Sequence, residues 1–380
     1  MTYARGNPTD PATGEVSTAK GWFHMRHRDT RTRRYVAATI LVSMFLASVG
    51  VAMKEGAPTG GWTHPQTPWG DPDLQGLWSN IKEYGTPFER PADTTETDPT
   101  SPGGLKKLHE LDRATRGERE RFIDTAGGIM PTGAAPTHWY EHFDQEKSRL
   151  WLVTDPPDGK IPPLTPEATK RLAERKEYRR DIPPGKTDEV RPGGWVDDLD
   201  GFVRCITRGL PDIWVPIVYN ANYQIVQGPG YVTIMYEMFH ETRVIPIDGR
   251  PHIPGKVRQW LGDSRGRWEG NTLVIETTNF VYLPPNEGLV HFRNATGDLR
   301  VTERLTRVGS NTIDWNATVE DAATWTRPWT FAIPLTKDES QEWIFEYACH
   351  EGNYSLRHML SGYRAQEKAR IVRRRGNTGL

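Results

Sequence analysis

The sequence predicts a mainly β protein: an antiparallel meander forming a barrel or a sandwich, with peripheral helices and a C-terminal helix. The first observation is composition, since 14 Trp, 30 Pro and 36 Gly among 380 residues are typical of short strands joined by tight turns. The second is a dense succession of short apolar runs from residue 219 to 349, separated by turn residues at 228–230, 270–271 and 309–311. Such a succession indicates sequential hairpins.

The N-terminal region is predicted to direct export. Arginines between residues 26 and 34 precede an uncharged run over 35–53, which is the order of a basic and an apolar signal region. Small residues at 50–52 suit cleavage, although the run is also long enough to span a bilayer. We therefore expect an exported protein, periplasmic or secreted, with inner-membrane anchoring by residues 35–53 as the alternative. Met25 is an alternative start to Met1.

Composition divides the chain into three parts. Residues 1–58 form an extension with the signal or anchor, 59–210 a wrapping segment with loops and peripheral helices, and 211–380 the β core and C-terminal helix. We expect 59–380 to form one domain. Lys and Arg number 48 against 49 Asp and Glu, so no basic excess predicts a nucleic-acid partner. A mean hydropathy of −0.67 argues against a multi-span membrane protein, which leaves only the N-terminal segment for membrane contact.

The wrapping segment begins with a predicted strand at 74–79. Its Gly76-Leu77-Trp78 matches the GxW that opens lipocalin-like barrels, so Trp78 either plugs one end of such a barrel or simply packs in the core. A charged helix is predicted over 105–125 and an apolar strand over 148–154. Thr165, as the N-cap before Pro166, begins a second helix that continues to about residue 180. A short helix is expected within 195–209.

In the β core the clearest hairpin is 266–280, GRWEGNTLVIETTNF, with Gly270-Asn271 as its two-residue turn. The predicted strands of this β core are 223–227, 231–240, 243–247, 256–261, 267–269, 272–280, 299–307, 312–319, 329–334 and 343–349. A helix over 353–373 closes the chain. Its predicted packing face consists of Leu356, Met359, Leu360, Tyr363 and Ala365.

Several stretches together resemble a large group of exported bacterial β-rich proteins without an assigned activity. They are TPWGDPDLQGLW (67–78), VTDPPDGKIPPLTPEA (153–168), YNANYQIVQ (219–227), IPIDGRPH (245–252), RQWLGDSRGRWEGNTLVIETTNF (258–280) and FEYACHEGNY (345–354). The resemblance covers nearly all of the chain after the signal region. It implies export and a common β-rich fold, and it supplies no catalytic residues.

The chain contains two cysteines, Cys205 and Cys349. In an oxidising compartment we expect one disulfide between them, because such bonds persist outside the cytoplasm. It would close a long loop and contribute about 3–5 kcal/mol in the chain-entropy model. The alternative is two buried free thiols.

Carboxylates on apolar strand faces are the leading functional signal. Alternation places Glu303 among apolar residues, and it places Glu346 and His350 on one face of another predicted strand. If these faces line one cavity, the three side chains can share protons as acid and base. The alternative is structural pairing with nearby arginines, for which the following are available: Arg243, Arg258, Arg293, Arg300 and Arg304.

Ligand-binding candidates come from a second pattern. Asn220, Asn222 and Gln224 alternate with aromatic and apolar residues, as expected of amides that bind a hydroxylated ligand. Trp78 and Glu276, which lies in a strand apolar on both faces, complete the predicted ligand-binding set.

No cofactor is predicted, with a metal as the alternative. Its ligands would be His240, His252 and His350. Glu237 and His240 form an ExxH pair, but the predicted strand places them on opposite faces, unlike the helical zinc-protease motif.

The sequence contains no phosphate loop, nucleophile elbow or dinucleotide fingerprint. We therefore expect acid/base chemistry (lyase, isomerase or hydrolase) on a small organic or carbohydrate-like molecule by Glu303, Glu346 and His350. The alternatives are a non-catalytic calycin-like protein that binds a small ligand and a periplasmic metal-binding protein.

Overall fold

A computed structural model describes residues 62–125, 146–178, 196, 199, 201–217, 219–281, 292, 295–337 and 343–377. All of them belong to one compact unit, Pro58–Leu380. The predicted export signal and the alternative anchor lie outside the described residues. Among the described helices, none combines the length and the apolar character needed to cross a membrane.

Eleven strands and three α-helices make up the described fold. The strands are β1 (Gly76–Ser79), β2 (Val153–Asp155), β3 (Asn222–Gly228), β4 (Tyr231–Tyr236), β5 (Thr242–Pro246), β6 (Asp263–Glu269), β7 (Thr272–Thr278), β8 (Arg300–Gly309), β9 (Thr312–Glu320), β10 (Trp329–Ala332) and β11 (Leu335–Thr336). The helices are α1 (Pro102–Thr125), α2 (Pro166–Tyr178) and α3 (Tyr354–Asn377).

The strands form one antiparallel sheet in the order β5-β4-β3-β1-β11-β9-β8-β7-β6, and β10 joins β9 to β2. Its two edges approach each other at Gly266, where an added Cβ would lie 2.7 Å from a methyl of Ile247 and 2.9 Å from one of Ile245. No ladder joins β5 to β6 among the described strands. The mainly β prediction is confirmed, and the sheet is open, which corresponds to the sandwich form and not to a closed lipocalin-like barrel.

The core lies on one face of this sheet. Along β8, Val301, Glu303 and Leu305 are buried, and their neighbours on the strand are more accessible. Trp78 is fully buried, donates its indole N–H to the carbonyl of Leu74 at 2.9 Å, and packs under the charged groups of Arg307 and Lys337. Of the two interpretations of Trp78, packing in the core therefore describes its environment.

The hairpin predicted at 266–280 is confirmed as β6 and β7. Glu269 pairs with Thr272, and Gly270 has the positive φ of +59° that the tight turn requires. The cap predicted for α2 is also present, because Thr165 Oγ1 accepts the backbone N–H of Ala168 at 3.1 Å. Both features depend on residues close together in sequence.

Several predicted elements are wrong. Residues 256–261 form turns, with a single bridge from Gln259 to Phe280. The strand predicted over 231–240 ends at Tyr236, because Phe239 and His240 have positive φ angles of 61° and 53°. Residues 343–349 are not a strand, and β11 was not predicted. Where a short helix was expected within 195–209, Val196 is helical and residues 201–205 form turns.

The predicted packing face of α3 is only partly covered. Leu356, Leu360 and Tyr363 are half-buried, and Met359 and Ala365 are exposed. The helical period identified the helix correctly, but no neighbouring element buries the whole apolar stripe.

Candidate functional site

Glu303, predicted as catalytic, lies in a closed ion pair inside the sheet. Its Oε2 and Oε1 accept hydrogen bonds from Arg243 Nη1 at 2.5 Å and Nη2 at 3.0 Å, and Trp315 Nε1 lies 3.3 Å from Oε1. The side chains of Glu303 and Arg243 are 0% and 4% exposed. Burial is the largest single effect and lowers the pKa of Arg243, but the charge and hydrogen bond of Glu303 together with Tyr236 outweigh it and raise that pKa above its ordinary value. This is the structural pairing considered as the alternative.

Glu276 belongs to a second ionic arrangement. His252 Nδ1 lies 2.7 Å from Asp263 Oδ2, and its Nε2 lies 3.3 Å from Glu276 Oε1. Arg265 binds Asp263 at 2.7 Å and Arg300 binds Glu276 at 2.9 Å. The structure thus brings together two predicted residues, Glu276 and His252. Both ring nitrogens of His252 face carboxylates, so neither nitrogen is left for a metal or substrate. These ionic contacts hold the loop before β6 against the sheet.

The remaining predicted catalytic and metal residues are at the surface. Glu346, His350 and His240 are exposed, whereas Glu303 is completely buried. The structure therefore does not bring Glu303, Glu346 and His350 together, because the strand on which their alignment depended does not form. Within the described ranges, no group of three His, Cys, Asp or Glu side chains has an arrangement that could hold a metal ion.

The predicted disulfide between Cys205 and Cys349 is present. It joins what we call the disulfide corner, made of residues 201–212, 219–223, 236–241 and 343–353. Asn353 extends the junction, since its Nδ2 donates to the carbonyl of Val203 at 3.2 Å and contacts Cys205 Sγ at 3.0 Å. Four segments distant in sequence thus meet at one end of β3 and β4.

Glu237 connects three of these segments. It is completely buried, and its carboxylate accepts Asn222 Nδ2 at 2.5 Å and the backbone N–H of Phe345 at 3.1 Å. Asn222 is buried and Gln224, two positions along the same strand face, is exposed. The predicted row of amides is therefore interrupted: the chain near Phe345 covers Asn222 and leaves Gln224 at the surface.

Unusual backbone conformations concentrate at this corner. Cys205, Asn220, Phe239 and His240 have positive φ angles between 51° and 61°, and two of them are consecutive. Each such non-glycine residue is unfavourable and persists only where its surroundings enforce it. The ring of Phe239 contacts Phe202 at 5.2 Å and Tyr347 at 5.1 Å between centroids. Strained backbone of this kind accumulates at functional sites.

Glu241, which is half-buried, follows the strained pair and differs from the fully buried carboxylates. Thr207 Oγ1 donates to its Oε2 at 2.9 Å, and the backbone N–H of Arg208 reaches the same oxygen at 3.4 Å. Burial raises the pKa of Glu241 to about 7, against the smaller opposing effect of these two hydrogen bonds. No cationic side chain is among the groups that lower it. The carboxyl group is thus suited to exchange a proton near neutral pH.

Arg208 brings a positive charge to the same corner. Its side chain is 8% exposed, and burial lowers its pKa while Tyr223 and Asp212 oppose that shift. Sequence reasoning missed Arg208, Thr207 and Glu241. The ExxH pair of Glu237 and His240 was the available sequence signal for a site at this corner. It was not used, because the pair was assigned to a continuous strand, whereas the chain turns there.

No family model, curated protein or solved structure matches this chain.

Proposed function

We propose that this protein performs acid/base chemistry on a small organic molecule at the disulfide corner, with Glu241 as the group that accepts and returns the proton. The observation that carries the proposal is a half-buried carboxyl group that, among the described residues, is held by a hydroxyl and a backbone N–H and by no cation. An arginine partner would hold such a group in its ionised form, whereas neutral donors leave both protonation states accessible.

The other glutamates fit this role less well. Glu303 is bound by Arg243 and Glu276 by Arg300. Glu237 accepts two hydrogen bonds that tie the turn to β3 and to the covering segment, so we assign it a positioning role. Among these glutamates, Glu241 combines partial burial with a raised pKa. Reaction types that need one proton shuttle, such as isomerisation, elimination or hydrolysis, are consistent with it.

The disulfide supports the expectation of export. A bond between Cys205 and Cys349 persists in the periplasm or outside the cell and is reduced in most cytosols. The proposal therefore includes a periplasmic or secreted location, or a position outside the inner membrane held by residues 35–53. Its partner is a small molecule and not a nucleic acid.

Two measurements test the role of Glu241. A carbon-13 NMR titration of the glutamate carboxyl groups, assigned with Glu241→Gln, should show one group titrating near pH 7. A panel of small hydroxy acids, keto acids and sugars incubated in D2O should then show solvent deuterium entering a substrate with the wild-type protein and not with Glu241→Gln. Glu269→Gln is the control, because Glu269 is a surface residue paired with Arg304. A Glu241 carboxyl that titrates at its ordinary pKa would contradict the proposal.

A non-catalytic binding protein is the second candidate function. It is favoured by the neutralised interior, where Arg243 compensates Glu303, as expected for a protein that binds a ligand and does not transform it. Under this alternative, Glu241→Gln leaves ligand affinity unchanged and no member of the panel exchanges deuterium.

A further inference from the structure

We propose that the ligand of the disulfide corner carries a carboxylate group and that the guanidinium of Arg208 binds it. This inference rests on the proposed site but not on proton transfer by Glu241. It concerns recognition, and it names the chemical class of the ligand.

Arg208 is the first support. Its side chain is more than nine-tenths buried, and its Nη2 has no hydrogen-bond partner among the described residues. A buried guanidinium donor is costly to leave unpaired, because its hydration is lost and not replaced. The backbone N–H of Arg208 reaches the carboxylate of Glu241. Arg208 therefore belongs to the same corner as the proposed acid/base residue.

Further unpaired donors border the same region. The buried donor atoms without a hydrogen-bond partner among the described residues include Trp214 Nε1, Tyr236 Oη and Arg243 Nε, and others lie elsewhere in the fold. The rings of Trp214 and Tyr236 are 5.3 Å apart, and the guanidinium of Arg243 lies 5.9 Å from the Tyr236 ring. Folded proteins leave few buried polar atoms unpaired. A group of them in one region indicates an occupant with hydrogen-bonding atoms.

The same region also contains buried acceptors, since the carboxylate of Asp212 acts electrostatically on Arg208 and Asn80 adds an amide oxygen. Asn80 Oδ1 is buried without a partner among the described residues, whereas its Nδ2 donates to Tyr223 Oη at 2.7 Å and to the carbonyl of Trp214 at 2.5 Å. The ring of Tyr223 stacks on that of Trp214 at 4.6 Å. Unpaired donors therefore outnumber unpaired acceptors around these rings, which favours an occupant that mainly accepts hydrogen bonds.

A carboxylate satisfies this balance best. It offers two acceptor oxygens and one negative charge, and it matches the forked donors of a single arginine. A neutral sugar hydroxyl brings a donor with each acceptor, which leaves the excess of donors uncompensated. A phosphate group carries more charge than one buried arginine compensates. Tyr219 and Tyr347 both act electrostatically on Arg208, so aromatic side chains lie close to the guanidinium.

Acetate and acetamide are the probes, because they have nearly the same shape and differ in charge and in acceptor number. Their affinities are measured by NMR titration of the full-length protein. We expect acetate to bind at least about tenfold more tightly than acetamide, as for a charge-assisted hydrogen bond. Arg208→Met should remove the preference, and Arg208→Lys should keep part of it, since the charge remains and the fork is lost.

Arg149→Met is the matched control. Arg149 also has a buried Nε without a partner among the described residues, but it pairs with Asp314 away from the corner, so acetate binding should persist. Glu241→Gln should also keep the acetate preference, which separates this inference from the proposed function. Equal affinities, no acetate binding, or a preference that survives Arg208→Met would overturn it. A crystal structure of the protein grown in acetate that shows only water at Arg208 would also overturn the proposal. This measurement provides the test if the Arg208 variants do not fold.

Discussion

The ion pair between Glu303 and Arg243 provides the sharpest test of whether the interior carboxylate is structural. The perturbation is Glu303→Leu, compared with Arg243→Met and with the double variant. Glu303→Leu leaves the guanidinium of Arg243 without its two carboxylate contacts in a place where its side chain is 4% exposed. The double variant removes both charges and leaves apolar groups of similar size.

The expected magnitudes follow from this burial. Breaking one side of a buried pair typically costs about 3–5 kcal/mol, because an uncompensated charge remains inside. Since the free energy of unfolding of a domain is typically about 5–15 kcal/mol, either single variant should lose a large share of its stability. The double variant should recover most of that loss, because replacing a buried pair with packed apolar groups is often nearly neutral.

Urea denaturation followed by tryptophan fluorescence measures these differences, with the m-value checked for constancy across variants. The control is Glu269→Leu, which breaks the exposed pair between Glu269 of β6 and Arg304 of β8 and should cost less than about 1 kcal/mol. If Glu303→Leu unfolds within about 1 kcal/mol of the wild type, the pair is not closed as described. The reasoning that assigns Glu303 a structural role would then be refuted.

Three further predictions concern other parts of the fold. The pKa of Glu241 rises from 4.5 to about 7 on folding, so between these pH values the native state binds more protons than the unfolded state. The free energy of unfolding should therefore fall by up to about 3 kcal/mol as pH rises through this window. Glu241→Gln should remove that slope in urea titrations at a series of pH values, and an unchanged slope would contradict the assignment. Replacing Cys205 and Cys349 with serine should cost about 5 kcal/mol in the chain-entropy model for a separation of 144 residues, measured as a shift in the urea midpoint; a shift no larger than that of a surface substitution would argue against the bond. Asp263→Asn should cost about 1.5–3 kcal/mol, because Asp263 accepts charge-assisted bonds from Arg265 and His252, and thermal unfolding of His252→Ala should show a loss that is not additive with it.

Local sequence was sufficient wherever neighbouring residues decide the structure. Alternation predicted β7, β8 and β9 nearly to their ends, and Gly270 marked the turn of the hairpin that contains Glu276. Helix α2 was predicted from its cap and first turn. The cysteine pair was predicted from compartment chemistry, since only one bond can form between two cysteines. Alternation also showed that Glu303 would face the core, but it did not show which arginine would meet it.

The tertiary structure decided the site. Residues of the disulfide corner come from segments as far apart as Arg208 and Phe345, and the burial that distinguishes Glu241 arises only when those segments meet. The pairing of Glu303 with Arg243 and of Glu276 with Arg300 depends on strand order and register, which a periodic pattern does not encode. The sequence by itself determined which residues are apolar, turned or charged. Only the fold determined which charges are neutralised and which remain available, because desolvation and pairing depend on distances between residues far apart in the chain.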